Sequence, residues 1–341
     1  MLVARETGVL LALLVMCVFL SLTTDSFLSV RNLFNVGRQV SVLGIMAVGM
    51  TFVLVSREVD LSVGSTYAFA SLITGLLIVK GWFLIPALIV GLVAGSAIGF
   101  VNGLLSTYGK LPSFIATLGT QFFWYGIATV LSGGKSYALR GAEESTVWAV
   151  LVGRPLAGSS IDWVQQLPIQ SLWTAIIVAI MWFILNRHRF GEHTLFIGDS
   201  NDVSRVVGIN VDREKIKLFT LMGALSAVAA VFLTLENKNY FGNQGQGYLL
   251  IAIASVLIGG TSIFGGRATI IGTVFGCFII AMVEPGLVAT GLTGAWVNTV
   301  RGLIFLVSII FYLYVEEPQR RRAFFARIGG TERFGRMRSA E

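Results

Sequence analysis

Charge is scarce in this 341-residue chain: only 13% of its residues are Asp, Glu, Lys or Arg, about half the share usual in soluble domains. Hydrophobic residues make up 55% and mean hydropathy is +0.80, so charges interrupt the apolar stretches too rarely for an ordinary soluble fold. The two cysteines, Cys17 and Cys277, both lie in apolar runs; they exclude a disulfide framework and read as small buried hydrophobes. Two histidines, His188 and His193, are too few for a zinc site. No G-x-x-x-x-G-K-[ST] loop is present: Gly133-Gly-Lys-Ser136 lacks the first loop glycine. H-E-x-x-H, G-x-S-x-G and paired-cysteine metal motifs are also missing. The chain is therefore expected to be non-catalytic and to bind no cofactor of its own. If ATP drives it, another chain hydrolyses the ATP. None of the 18 acidic residues falls clearly at midspan, which argues against proton-driven symport.

What the chain does have is a series of apolar runs near the ~20 residues that cross the hydrocarbon. They are too long and continuous for the ~10-residue alternation of a membrane barrel. We read an all-α polytopic membrane protein with ten spans, at about 9–24, 39–56, 62–79, 83–105, 113–131, 168–186, 215–235, 249–262, 268–285 and 296–315. Residues 9–20 are followed by no Ala-x-Ala cleavage site and read as the first retained span. Ten spans place both termini on one side. That side then receives about two thirds of the 25 Lys and Arg, which predicts cytoplasmic termini by the positive-inside rule. The formal charge of +7 arises at helix ends and in an arginine-rich tail from Arg320 to Arg338, not in a patch suited to nucleic acid. The tail, 321–341, suits anionic headgroups or a cytoplasmic partner. Residues 1–320 read as one transmembrane domain.

Two loops are long. The external one, 132–167, carries Gly133-Gly134, Pro155, Gly158-Ser-Ser160, Trp148 and Trp163; tryptophans there fit the lipid interface better than a ligand site. The internal one, 187–214, has room for a short helix capped by Ser200 or Asn201, with Val203, Val206 and Val207 as an apolar stripe. A docking surface and a polar linker on the headgroups both fit that pattern.

Two apolar runs end in small polar segments: Asp60-Leu-Ser-Val-Gly-Ser65 and Gly259-Gly-Thr-Ser-Ile-Phe-Gly-Gly266. In the first, Arg57 could pair with Glu58 or Asp60 while Ser62, Gly64 and Ser65 expose backbone to a polar ligand, as in the broken helices of transporters. The residues alone favour an ordinary cytoplasmic turn capped by Asp60 or Ser62, because it needs no buried charge. Asn102, Thr120, Gln121, Thr261, Ser262 and Gly265 complete the set of pathway or helix-break candidates. Glu284-Pro-Gly286 is expected to end a span. Gly91, Gly95, Gly99 and Gly103, and again Gly272 and Gly276, recur at the close-packing interval of membrane helices.

Three segments in fixed order carry a family resemblance: Gly49-Met-Thr-Phe-Val-Leu-Val-Ser-Arg-Glu-Val-Asp-Leu-Ser-Val-Gly-Ser65, Leu111-Pro-Ser-Phe-Ile-Ala-Thr-Leu-Gly119, and Gly247-Tyr-Leu-Leu-Ile-Ala-Ile-Ala-Ser-Val-Leu-Ile-Gly-Gly-Thr-Ser-Ile-Phe-Gly-Gly266. Over nearly its whole length the chain resembles the membrane permease of bacterial ABC importers for simple sugars, in the ribose, xylose, arabinose and galactose branch. The resemblance implies a second permease subunit, a periplasmic sugar-binding protein, and a cytoplasmic ATPase with two nucleotide-binding modules that holds ATP and Mg. The family loop G-x-N-x-x-A-A-R-x-S-G-I falls on Gly198, Asp199, Asn201, Asp202, Val203, Arg205, Gly208 and Ile209. That match implies that this loop couples to the ATPase.

The chain departs from the pattern at Glu192, Val203 and Ser204, at Leu235-Glu-Asn-Lys-Asn-Tyr-Phe-Gly242, and in its arginine tail. The expected function is the permease of an ATP-driven importer for a monosaccharide or related polyol, in the bacterial inner membrane. An ion-coupled secondary transporter of small polar solutes is the alternative; it would need no ATPase partner.

Overall fold

The computed structural model describes residues 2–24, 27–153, 167–289 and 295–316. Part of the external loop, including Pro155, Gly158 to Ser160 and Trp163, and the tail from Arg320 lie outside these residues. The described chain is helical almost throughout, because in hydrocarbon every backbone N–H and C=O needs an internal partner. The helices are α1 Leu2–Thr23, α2 Val30–Val55, α3 Val63–Val79, α4 Leu84–Thr107, α5 Ser113–Ser132, α6 Thr146–Leu151, α7 Ile169–Arg187, α8 Arg189–Asp199, α9 Asn201–Val206, α10 Val211–Asn237, α11 Tyr248–Ile258, α12 Ile270–Ala289 and α13 Ala295–Glu316. A two-residue ribbon pairs β1 Tyr137–Ala138 with β2 Asn239–Tyr240, antiparallel, and ties the 132–153 loop to the end of α10.

Among the described residues, seven helices are long and apolar enough to cross a membrane: α1, α2, α4, α5, α7, α10 and α12. The other three expected spans are shorter apolar stretches, Val63–Val79, Tyr248–Ile258 and Trp296–Ile310. The expected eighth span, 249–262, is a half-helix. At 1.5 Å per residue α11 reaches about 16 Å, half the hydrocarbon, before Gly260, Gly265 and Gly266 at positive φ turn the chain back.

α2 and α10 form the centre. Their most apolar windows are 89% and 72% buried, whereas that of α1 is 6% buried and presents leucine, valine and phenylalanine outward. Both central helices start earlier than hydropathy predicts. Ser29 caps α2, accepting from the Asn32 N–H at 3.3 Å, and Asn210 caps α10, accepting from the Arg213 N–H at 3.0 Å. The first turns of α2 carry Arg31, Asn32, Asn35, Arg38 and Gln39, which mask a helix from a hydropathy window. The expected end at Glu284-Pro-Gly286 is also displaced: α12 runs through Pro285 to Ala289. Proline loses its own N–H donor and crowds the carbonyl four residues earlier, yet the helix continues through it.

The glycine series brings helices to backbone distance. A Cβ on Gly99 of α4 would fall on the Phe219 carbonyl of α10, and one on Gly223 of α10 would fall on the Gly95 carbonyl of α4. On the other flank, Gly276 of α12 lies against the Ser255 carbonyl of α11. Where lipid removes most of the hydrophobic drive between helices, such backbone approach supplies the packing.

Gly99→Leu should therefore split α4 from α10, at a cost of about 1–3 kcal/mol or more. Gly119→Ala should be neutral, since nothing lies within 4 Å of its Cβ position. Thermal unfolding in lipid nanodiscs compares the two; equal melting would refute the packing role of Gly99.

Candidate functional site

At one end of the bundle, three backbones meet with almost nothing between them. The Gly266 N–H donates to the Val55 carbonyl at 3.0 Å. Gly198, at the end of α8, lies so close that a Cβ would strike that same carbonyl, and a Cβ on Gly265 would strike the Gly198 carbonyl. The end of α2, the end of α8 and the 259–266 loop thus share one joint. Arg57 crosses it. Its Nη2 donates to the Asp199 carbonyl at 2.9 Å, and its Nε donates to the Phe264 carbonyl.

α2 ends in a Schellman motif, with Arg57 N–H to Leu54 O at 3.0 Å and Glu58 N–H to Val53 O at 3.2 Å. The left-handed residue of that motif is Arg57, at φ 62°. The anticipated pairing of Arg57 with Glu58 or Asp60 does not form. Glu58 pairs instead with Lys215 at the start of α10, both side chains largely buried. The tight turn sends three neighbouring charges to three different partners.

Asp60 is 1% exposed and accepts from the Ser62 N–H at 2.9 Å and the Ser62 hydroxyl at 2.6 Å. It lies in the linker outside both flanking spans. Burial raises its carboxyl to about 6 against the lowering effect of those two bonds. The chain of bonds continues through Asn102 Nδ2 to Ser62 Oγ at 2.6 Å and Thr120 Oγ1 to Asn102 Oδ1 at 2.7 Å. Thr117 Oγ1 accepts from the Leu61 N–H at 3.0 Å. The break between α2 and α3 is thereby fastened to α4 and α5, and Asn102 and Thr120 are engaged within the protein. So are Thr261, which accepts from the Thr269 N–H, and Ser262, which accepts from the Phe264 N–H. Ser65 donates to the Ser62 carbonyl, Gly64 abuts the Gly245 carbonyl, and Gln121 is half-buried on α5.

The 187–214 loop contains two helices, α8 and α9, where one was expected. Ser200 caps α9, accepting from the Val203 N–H at 3.3 Å. The apolar stripe faces outward: Val203, Val206 and Val207 are 58%, 86% and 63% exposed. Asp199, Asn201, Asp202, Arg205 and Gly208 are exposed beside it, whereas Gly198 is buried. Ile209 is also buried and packs with Ile197 and Val211 beneath the helix. Arg205 pairs within the chain, Nη2 to Asp212 Oδ1 at 2.8 Å.

The opposite ends of α2 and α10 frame a cavity lined by none of the expected pathway residues. This cavity, of about 670 Å³, lies among α2, α10, α11, α12 and α13. Its polar wall is Asn32, Asn35, Gln39, Asn237 and Gln246, with Tyr248 and Ile251 beside them. Its charges are matched within the chain: Arg38 lies 3.7 Å from Glu236, and Arg301 donates to Glu284 at 2.7 Å. Gln170 also donates to Glu236, at 2.7 Å. Trp148 is fixed nearby, its indole N–H donating to the Leu235 carbonyl at 2.9 Å under the Lys238 ammonium. The signal for this site was present in the sequence: Asn32, Asn35 and Gln39 follow helical spacing on one face of an apolar span.

A family model described as "Branched-chain amino acid transport system / permease component" matches residues 32–309. The chain is 33% identical to the ribose import permease protein RbsC of Bacillus subtilis (strain 168), over 90% of this chain and 92% of the relative. It is 31% identical to RbsC of Escherichia coli (strain K12), over 89% and 92%. It is 30% identical to the autoinducer 2 import system permease protein LsrC of Salmonella typhi, over 90% and 85%. Among solved structures, PsaBC from Streptococcus pneumoniae in complex with Fab is similar at TM-score 0.48 and 15% identity, over 89% of this chain and 98% of that one. With a family match through most of its length and relatives of this identity over nine tenths of it, the chain belongs to the branched-chain amino acid transport system / permease component family, as a non-catalytic multi-pass permease subunit of an ATP-driven importer in the inner membrane.

Proposed function

We propose that this permease carries a neutral monosaccharide or related polyol inward, taking the solute at the Asn32–Gln39 cavity and receiving the ATP-driven stroke through α8 and α9. The observation that carries the reading is the cavity lining: a row of amides, an aromatic ring and charges already paired with each other. A neutral polyhydroxylated solute needs donors and acceptors without a net charge to trap it. The cavity volume, about 670 Å³, suits a small ligand. Two relatives bear ribose import in their names and a third autoinducer 2 import, which supports small polar cargo.

In this reading all ten apolar helices cross or enter the bilayer within one permease domain, 1–320, with both termini cytoplasmic. The 132–167 loop faces a periplasmic binding protein and 187–214 faces the ATPase, whose two nucleotide-binding modules hold ATP and Mg. The 321–341 tail rests on anionic lipid. A second permease subunit completes the pathway. The separation supports this division of labour: Asn32 to Val55 along α2 corresponds to roughly 35 Å at 1.5 Å per residue. The exposed valines of α9 fit burial against a partner groove, and Asp202, Arg205 and Asn201 around them would set its register.

Two measurements test the reading. Val206→Asp should weaken co-purification of the partner ATPase at least about tenfold, since burying a valine is worth about 1.5 kcal/mol or more; undiminished recruitment would remove α9 from the contact. Gln39→Leu should lower sugar-stimulated uptake about three- to tenfold, the scale of one hydrogen bond, in nanodiscs holding the full transporter and its binding protein across a sugar panel. Unchanged uptake of every sugar would remove the cavity from the pathway.

A further inference from the structure

We propose that Arg57 is a positioning residue that transmits movement of α8 and α9 to the helix break at 56–62 and to the 259–266 loop. The proposal rests on the reading that α8 and α9 receive the ATPase. Its starting point is a conflict between two demands on one residue. The Schellman position that Arg57 occupies, at φ 62°, is the place where glycine is favoured and a Cβ is penalised. Glycine would end α2 at lower backbone cost, as it would at Lys110 and Lys238, which also sit at positive φ; what sets Arg57 apart is what its side chain reaches.

What arginine adds is two donors of fixed geometry reaching two other segments, Asp199 at the end of α8 and Phe264 in the 259–266 loop. Glycines make the room for this. Gly265 leaves space for the Arg57 stem, and Gly198 lets α8 touch the Val55 carbonyl directly. Glu58, the next residue, grips Lys215 of α10. A displacement of α8 therefore pulls on the end of α2 through a backbone contact and on the 259–266 loop through one guanidinium. Asp60 and Ser62 lie just beyond, bonded onward to Asn102, so the same pull reaches α4.

The decisive variant is Arg57→Gly. It suits the left-handed backbone, so the fold is preserved, while both side-chain bonds are lost. Lys110→Gly is the matched control, since Lys110 also sits at positive φ, 52°, at the end of α4. Each variant is purified with its ATPase and binding protein in nanodiscs, and thermal midpoint, ATPase recruitment, ATP hydrolysis and sugar uptake are measured together. Arg57→Gly should keep its melting midpoint and its ATPase while uptake per ATP hydrolysed falls at least about tenfold, the lower bound for loss of two charge-assisted hydrogen bonds. Arg57→Lys, with one compact donor group for two carbonyls, should fall in between. Lys110→Gly should keep wild-type coupling.

Arg57→Gly with wild-type uptake per ATP would overturn the proposal. So would parallel losses of melting midpoint, recruitment and uptake, which would make Arg57 a structural anchor only. A wild-type chain that recruits no ATPase would overturn this proposal together with the reading it rests on, and that outcome is distinct from a fully coupled Arg57→Gly.

Discussion

The contact between the Val55 carbonyl, Gly198 and Gly266 registers one whole end of this molecule. Three chain segments far apart in sequence approach at backbone distance, with a hydrogen bond from the Gly266 N–H and no side chain able to intervene. Such a joint has little freedom to slide, because any Cβ at Gly198 or Gly265 collides with a main-chain oxygen. It is therefore stiff in a way that a side-chain interface is not. Arg57 adds a hydrogen-bonded tie across the same point.

Low charge makes polar satisfaction the governing constraint elsewhere. Asp60, Ser62, Asn102 and Thr120 are costly to bury singly but form a continuous bonded series. Their work is to hold the α2–α3 break against α4 and α5. The same residue types seen as lining groups in a linear reading are thus largely occupied with each other. The proposed solute cavity lies elsewhere, at the far ends of α2 and α10, where the charges of Arg38, Glu236, Glu284 and Arg301 are already matched.

α2 and α10 join the two ends. Each passes through the buried centre and contributes residues to the cavity at one end; at the other, α2 meets the joint through Val55 and α10 pairs beside it, Lys215 with Glu58. The α4–α10 glycine contact fixes the lateral position of α10. In the proposed reading, solute recognition and energy input fall on the same two elements.

Much of this was readable along the chain. Continuous apolar runs near the length of a span demand helices whatever their packing, because lipid offers backbone groups no partners. The Ser200 cap and the valines of α9 are local features, set by spacing of a few residues. Gly95 and Gly99 announced a close helix contact but not that α10 supplies it. Hydropathy failed where polarity served the interior: Asn32, Asn35 and Gln39 hid two turns of α2. The eighth span was already short in the sequence, and its glycines at positive φ, Gly260, Gly265 and Gly266, follow α11 in the structure. The partner of Arg57 was likewise out of reach of any local rule. Nearby carboxylates were the obvious choice, yet two backbone carbonyls from remote segments accept its bonds. Periodicity and capping act over one or two turns and so survive in the sequence; a carbonyl carries no residue identity, so only the folded chain could bring it to the guanidinium.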